Sequence, residues 1–182
     1  SSAGFDAIAQ SIESMLSKKS TPQSLKYAIK SLKLSLDNYL NYLNKPNLEN
    51  TFKMCLAANY SGKAISISKT TAPHALSYPF TANFGINHGH AVSLTLNDFL
   101  KFNFNNIEYA DCNFNLKDRY KTLFKLTKSK NINDFDLFIK NIKKKAKLEN
   151  NFKKLNINIK QQMPLILDGV NEQRLLNNPV KL

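Results

Sequence analysis

The stretch Thr21–Leu43, TPQSLKYAIKSLKLSLDNYLNYL, decides the fold. Thr21 reads as an N-cap, and Pro22 suits the first helical position, where no backbone N–H is needed. Leu25, Ala28, Ile29, Leu32, Leu36, Tyr39, Leu40 and Leu43 recur at steps of three and four, which makes one apolar stripe on a helix. Outward from this segment the pattern repeats. LENTFKMCLAANYSGKAISI (48–67) is read with Phe52, Cys55, Leu56 and Ala58 inward. NDFDLFIKNIKKKA (133–146) is read with Phe135, Phe138, Ile139 and Ile142 inward. No alternating strand and no internal repeat is visible. Only 5 Gly and 6 Pro in 182 residues leave few turns, so the helices are expected to be long. The expectation is one all-α domain, a helical bundle over residues 1–182.

Composition narrows the function classes. Hydrophobic residues make up 42% of the chain, enough for a core, but no run of about 18 apolar residues suggests a membrane span. The start, SSAGFDAIAQSIESML, lacks a basic region followed by an apolar block, so no signal peptide is read there. Cys55 and Cys112 lie far apart and are expected as free thiols in a reducing, cytoplasmic setting. The net charge of +13 invites a nucleic-acid reading. Against it, Arg119 and Arg174 are the only arginines among 26 basic residues, and arginine is the better bidentate phosphate ligand. The run KNIKKKAKLENNFKK reads as a solvated helix face. Nucleic acid is therefore not the expected partner, while acidic or phosphorylated small molecules are electrostatically favoured. No Gly-rich phosphate loop is present, so the chain does not bind a dinucleotide alone by the usual device.

All three histidines lie in PHALSYPFTANFGINHGHA (73–91), at positions 74, 88 and 90. Pro79 and Gly85 fall between His74 and His88, so two helical pieces joined by a bend could bring the pair together. A metal site needs such convergence, usually of imidazole with carboxylate. A satisfied core or surface histidine is the plainer alternative for each taken singly. Upstream, AGFDAIAQSIES places Asp6 and Gln10 one helical turn apart on one face. A carboxylate on an apolar face is costly unless it is paired or bound to metal. A first-turn aspartate favoured by the helix dipole is the alternative.

Together these segments resemble a family. AGFDAIAQSIE is similar to AG-x-DA-x-x-H-A-x-E, and PHALSYPFTANFGINHG to H-A-x-x-H-P-x-G…P-H-G, the paired signatures of the iron-containing (group III) alcohol dehydrogenases. The resemblance is good over residues 3–103 and loose beyond. It implies the C-terminal, all-helical, metal-binding domain of an architecture shared with dehydroquinate synthase. It also implies an NAD(H)- or NADP(H)-binding N-terminal domain outside this sequence, without which the chain would be inactive. A homodimer is open.

Carried over by position, the implied metal ligands for Fe2+ or Zn2+ are Asp6, His74 and His88. Gln10 stands where the family has a fourth ligand, His, and is a weak or indirect ligand. Tyr78 replaces the family's second histidine of the first pair; its hydroxyl is a candidate donor to substrate. GKAISISKTTAPHALSYPFTANFGINHGHAVSLTL looks like the branch that reduces phosphonoacetaldehyde to 2-hydroxyethylphosphonate. Lys63, Lys69, Thr70 and Thr71 are then candidate substrate-binding residues, since a phosphonate dianion wants ammonium groups and hydroxyls. Ordinary surface lysine is the alternative for Lys63 and Lys69. His90 is a candidate catalytic or supporting residue beside His88, or a polar residue without a special role. Two other readings remain: a simple alcohol or diol dehydrogenase of the same family, and a non-catalytic basic helical module. Residues 104–182 carry no chemical signal.

Overall fold

The Thr21 cap forms as its sequence suggests. Its hydroxyl accepts the Ser24 N–H at 3.1 Å, and the Ser24 hydroxyl accepts the Thr21 N–H at 2.9 Å. Asn47 and Asn50 repeat this reciprocal arrangement at the next helix start. The computed structural model describes residues 1–182. The helices are α1 (Ser2–Leu16), α2 (Pro22–Asn44), α3 (Leu48–Ser68), α4 (Ala72–Phe84), α5 (His88–Asn105), α6 (Leu116–Thr127), α7 (Ile132–Lys145), α8 (Ile159–Asp168) and α9 (Glu172–Leu175). A short 3-10 turn, Ile107–Tyr109, follows α5. There is no sheet. One isolated bridge, Ala110 with Val180, ties the C-terminal segment back to the connection after that turn. No helix is long and apolar enough to cross a membrane, and neither cysteine is paired.

Helix α1 is the axis of the core. Phe5, Ile8, Ala9, Ile12 and Met15 are fully buried, and α2, α3, α5 and α6 pack around them. Each large apolar side chain removed from water contributes roughly 1.5–3 kcal/mol. The stripe read on α2 faces this core: Ala28, Leu32 and Tyr39 are buried and its other members partly so.

The reading of α3 is corrected. Phe52, Cys55 and Ala58 are exposed, and the inward face is Asn50, Met54, Ala57, Ser61, Ala64 and Ser68. Small residues win this face because they allow close approach. Ser11 of α1 donates to Ser31 of α2 at 2.8 Å, and Ser31 donates to the Ala57 carbonyl of α3 at 2.8 Å. Three helices are thereby stitched by short polar contacts that a search for apolar stripes does not see. The lysine run is also not one solvated face. Helix α7 ends at Lys145, and Lys143 is only 3% exposed, donating to the Ser93 carbonyl of α5 at 2.8 Å.

Two glycines shape what lies beside α1. Gly85 ends α4 in the left-handed region at φ 65°, turning the chain into α5 within a few residues. Gly89 lets α5 touch α1. A Cβ there would lie 2.3 Å from the Ser2 carbonyl oxygen and 2.9 Å from the Asp6 Cβ.

Candidate metal centre

Asp6 of α1, His74 of α4 and His88 of α5 converge. Their ligating atoms all lie within 4.8 Å of one another. Asp6 Oδ1 is 3.3 Å from His74 Nε2 and 3.9 Å from His88 Nε2. The two imidazoles meet edge to face with centroids 5.2 Å apart. The α4–Gly85–α5 bend supplies the convergence of the two histidines, and the Gly89 contact brings them onto Asp6.

Each of the three side chains is oriented by a neighbour. Glu13, two turns beyond Asp6 on α1, is 1% exposed. One carboxylate oxygen accepts the Thr71 N–H and the Thr71 hydroxyl, each at 2.9 Å, and the His74 N–H at 3.4 Å. It thus caps the start of α4 from another helix. The other oxygen contacts His74 Nδ1. A proton on Nδ1 satisfies this contact and leaves Nε2 as a lone pair facing Asp6. The Ser77 hydroxyl spends its hydrogen on the His74 carbonyl at 2.7 Å, so at 3.4 Å from His88 Nδ1 it accepts. His88 Nε2 is then also a lone pair facing Asp6. Gln10 donates from its amide nitrogen to Asp6 Oδ2 at 2.7 Å, and its amide oxygen accepts from Ser61 of α3 at 2.9 Å.

The donor set fits a cation. Asp6 Oδ1 and His74 Nε2 are buried and have no hydrogen-bond partner, although they face each other. Such orphaned atoms are costly unless a proton or a metal ion lies between them. Donors bonded to one cation at about 2.0–2.2 Å stand about 3.0–3.6 Å apart; the Asp6–His74 spacing of 3.3 Å lies in that range and the Asp6–His88 spacing of 3.9 Å just beyond it. Without a cation a proton takes the place. Burial pushes His74 down, but the charges and hydrogen bonds of Glu13 and Asp6 outweigh it and carry the imidazole up to about 9. His88 goes the other way. Burial pushes it down, and the charges of His74 and Arg174 add to that, against the pull of Asp6 and Glu13.

The other expected residues are placed as follows. Gln10 is adjacent to the group, with its amide nitrogen on Asp6 and its oxygen accepting from Ser61, an arrangement that orients Asp6. Tyr78 is 37% exposed and stands beside His88 with ring centroids 6.1 Å apart. His90 is not brought into the group. Its Nε2 meets the Glu149 carbonyl at 2.7 Å, which makes it a strut between α5 and the loop after α7. Two residues along α5 turn it about 200° from His88, onto nearly the opposite face. Thr71 is buried and its hydroxyl is spent on Glu13; Thr70 is buried and accepts from Arg174. Neither hydroxyl is open to a substrate. Lys63 is exposed over the Tyr60 ring, 5.8 Å away, on the outer side of α3. Lys69 is exposed at the end of α3, with Nζ on the Ser66 carbonyl at 3.0 Å.

Two residues without a sequence assignment emerge. Glu13 was legible in principle, being the last residue of the AG-x-DA-x-x-H-A-x-E pattern and seven residues from Asp6, the same helix face. Arg174 had no signal. It reaches the site because Pro79, inside α4, has no N–H to give the Ala75 carbonyl. The Asn171 N–H takes that carbonyl at 3.2 Å and docks α9 onto α4.

Known proteins are similar to this chain in sequence and fold. Residues 1–182 match the Fe-containing alcohol dehydrogenase family, C-terminal. Over 111 residues the chain is 34% identical to phosphonoacetaldehyde reductase of Streptomyces viridochromogenes, covering 59% of this chain and 27% of that protein. Over 99 residues it is 29% identical to 4-hydroxybutyrate dehydrogenase of Clostridium kluyveri, covering 53% of this chain and 27% of that protein. It superimposes on sulfoacetaldehyde reductase of Bifidobacterium kashiwanohense, solved with NAD+, with a TM-score of 0.81 and 28% identity, covering 99% of this chain and 46% of that one. The chain thus spans less than half the length of the proteins it matches.

Proposed function

Because the chain belongs to the Fe-containing alcohol dehydrogenase family, we propose that it forms the metal-holding part of an NAD(P)-linked enzyme reducing phosphonoacetaldehyde to its alcohol. The observation that carries this reading is the pair of orphaned buried atoms, Asp6 Oδ1 and His74 Nε2, with His88 Nε2 beside them. The relative acting on phosphonoacetaldehyde supports the substrate, and the structural relative solved with NAD+ supports the nicotinamide.

Asp6, His74 and His88 would hold Fe2+ or Zn2+, which supplies Lewis-acid polarisation of the aldehyde oxygen. The protein's own groups do the rest. Asp6 provides the compensating negative charge, and Gln10 pins its second oxygen so that Oδ1 points inward. Glu13 and Ser77 hold the Nδ1 protons of the two histidines, keeping both Nε2 atoms deprotonated toward the site. His74 closes the buried side and excludes water there. His88, half-exposed with Tyr78, forms the open side through which substrate enters. Reduction adds a hydride to carbon and requires a proton at oxygen; the Tyr78 hydroxyl is the protein donor on that open side.

Full-length enzyme tests the reading. His88→Ala is expected to lose bound metal by elemental analysis and at least about 100-fold in NAD(P)H oxidation with phosphonoacetaldehyde. Unchanged metal content and turnover would sink the assignment. Turnover of propanal equal to that of phosphonoacetaldehyde would instead favour a simple alcohol dehydrogenase.

A further inference from the structure

Arg174 is a half-buried guanidinium with no carboxylate within ion-pairing distance. Its Nη1 donates to the Thr70 hydroxyl, and its Cζ lies 5.5 Å from the centre of the Tyr78 ring. The rest of its donor fork has no protein acceptor. Beside it opens a cavity of about 470 Å³ whose walls include Lys19, Lys69, Ser66, Asn171 and Asn177. Three cations and no acid line it. A buried or half-buried charge without its opposite is normally costly. Here the half-buried Arg174 is joined at the cavity wall by two exposed lysines, an arrangement that an incoming anion completes.

Arg174 is held still. Its own N–H is capped by the Asn171 side chain at 3.0 Å, and Asn171 is docked on the Ala75 carbonyl that Pro79 leaves free. Three residues further on, Asn177 donates to the Thr70 carbonyl at 3.1 Å. Both flanks of the arginine are therefore fixed to the segment around His74, at Ala75 and at Thr70. Lys69 sits in the same segment with φ 60° and ψ 175°, a backbone region that side chains other than glycine rarely occupy. Its Nζ rests on the Ser66 carbonyl, and both residues line the cavity.

We propose that Arg174, with Lys69 and Lys19, forms the oxyanion subsite of the enzyme and binds the phosphonate group of the substrate. This rests on the function proposed above. Tyr78 neighbours both Arg174 and His88, its ring centre 5.5 Å from Arg174 Cζ and 6.1 Å from the centre of the His88 ring. The guanidinium and His88 thus flank the same exposed tyrosine, and the charge of Arg174 is felt at His88. A tetrahedral oxyanion offers two oxygens to a planar guanidinium fork, and the ammonium groups add point charge. Thr70, taken from the sequence as a substrate ligand, instead aims the arginine.

The test uses full-length protein, with methylphosphonate as an aldehyde-free probe. Calorimetric titration is expected to show binding that Arg174→Met weakens about 10- to 100-fold. The same variant is expected to cut kcat/KM for phosphonoacetaldehyde by about 10- to 100-fold more than that for propanal, mostly through KM. Metal content should be retained, and Arg174→Lys should recover part of the loss. Equal methylphosphonate affinity in wild type and Arg174→Met would overturn the proposal. So would a parallel loss on both aldehydes. If the wild type does not reduce phosphonoacetaldehyde but binds methylphosphonate through Arg174, the proposed substrate fails and the oxyanion site stands.

Discussion

A carboxylate on Nδ1 of a metal-binding histidine fixes its tautomer and raises the basicity of Nε2. Glu13 does this for His74 while also capping α4. Glu13→Gln keeps the shape but places an N–H among donors. It is expected to weaken metal binding about 10- to 100-fold, read by competition with a chelator; unchanged affinity would mean that Glu13 serves only the helix start. Lys143 is a different case, a cation buried without an acid in contact. Burial pushes its ammonium down to about 8; the charge of Asp98 resists this, and that of Lys140 adds to it. Above pH 8 the folded state releases a proton that the unfolded chain keeps until about 10.5. The Lys143 contribution to stability should therefore rise with pH, by about 2 kcal/mol between pH 7 and 9.5, while His74, raised to about 9, contributes in the opposite direction without metal. Urea unfolding across that range should show the wild type gaining about 2 kcal/mol relative to Lys143→Met, since the other groups titrate alike in both; a constant difference between the two would contradict it.

The geometry of the centre is made by helices, and its tightest point is where α5 crosses α1. Gly89→Ala would drive a Cβ into the Ser2 carbonyl and the Asp6 side chain. The expected result is about 1–3 kcal/mol of destabilisation together with lost metal, since α5 must carry His88 away from Asp6. Gly62, in α3, is the control: nothing lies within 4 Å of a Cβ there, and Gly62→Ala should leave stability equal or up to about 1 kcal/mol higher. Thermal melts with metal analysis compare the two; metal retained in Gly89→Ala would show that the crossing is not what sets the site. The element level also explains what the sequence reading missed in α3. Periodicity tells that a helix has faces, but Ser61, Ala64 and Ser68 face inward because three backbones approach closely, not because they are apolar.

Across the whole molecule, the centre joins α1, α4 and α5, with α3 and α9 reaching its supporting residues. A ligand held by several elements in the native state alone stabilises that state. At about 100 times its dissociation constant, metal should add about 2.7 kcal/mol, or roughly 5–10 °C in Tm for a domain of this size. Scanning calorimetry before and after chelation should show that loss, reversed by Fe2+ or Zn2+. In His74→Ala the chelator should make no difference; an equal Tm with and without metal in the wild type would contradict a shared site.

Local sequence by itself determined the helices, the reciprocal caps at Thr21 and Asn47, and the types of group available to the centre. These depend on residues within a turn or two of one another, which 3.6-residue periodicity and capping chemistry make readable. Asp6, His74 and His88 were legible as candidates because paired patterns placed them on helices separated by a bend. Only the tertiary structure decided how each neighbouring donor is spent. Gln10 orients Asp6 because Ser61 occupies its oxygen; His90 is drawn off by Glu149; Arg174 arrives across 104 residues to meet Thr70. A hydrogen-bonding side chain has few sites to give, and which partner fills them is set by the packing of distant elements, which no local pattern records.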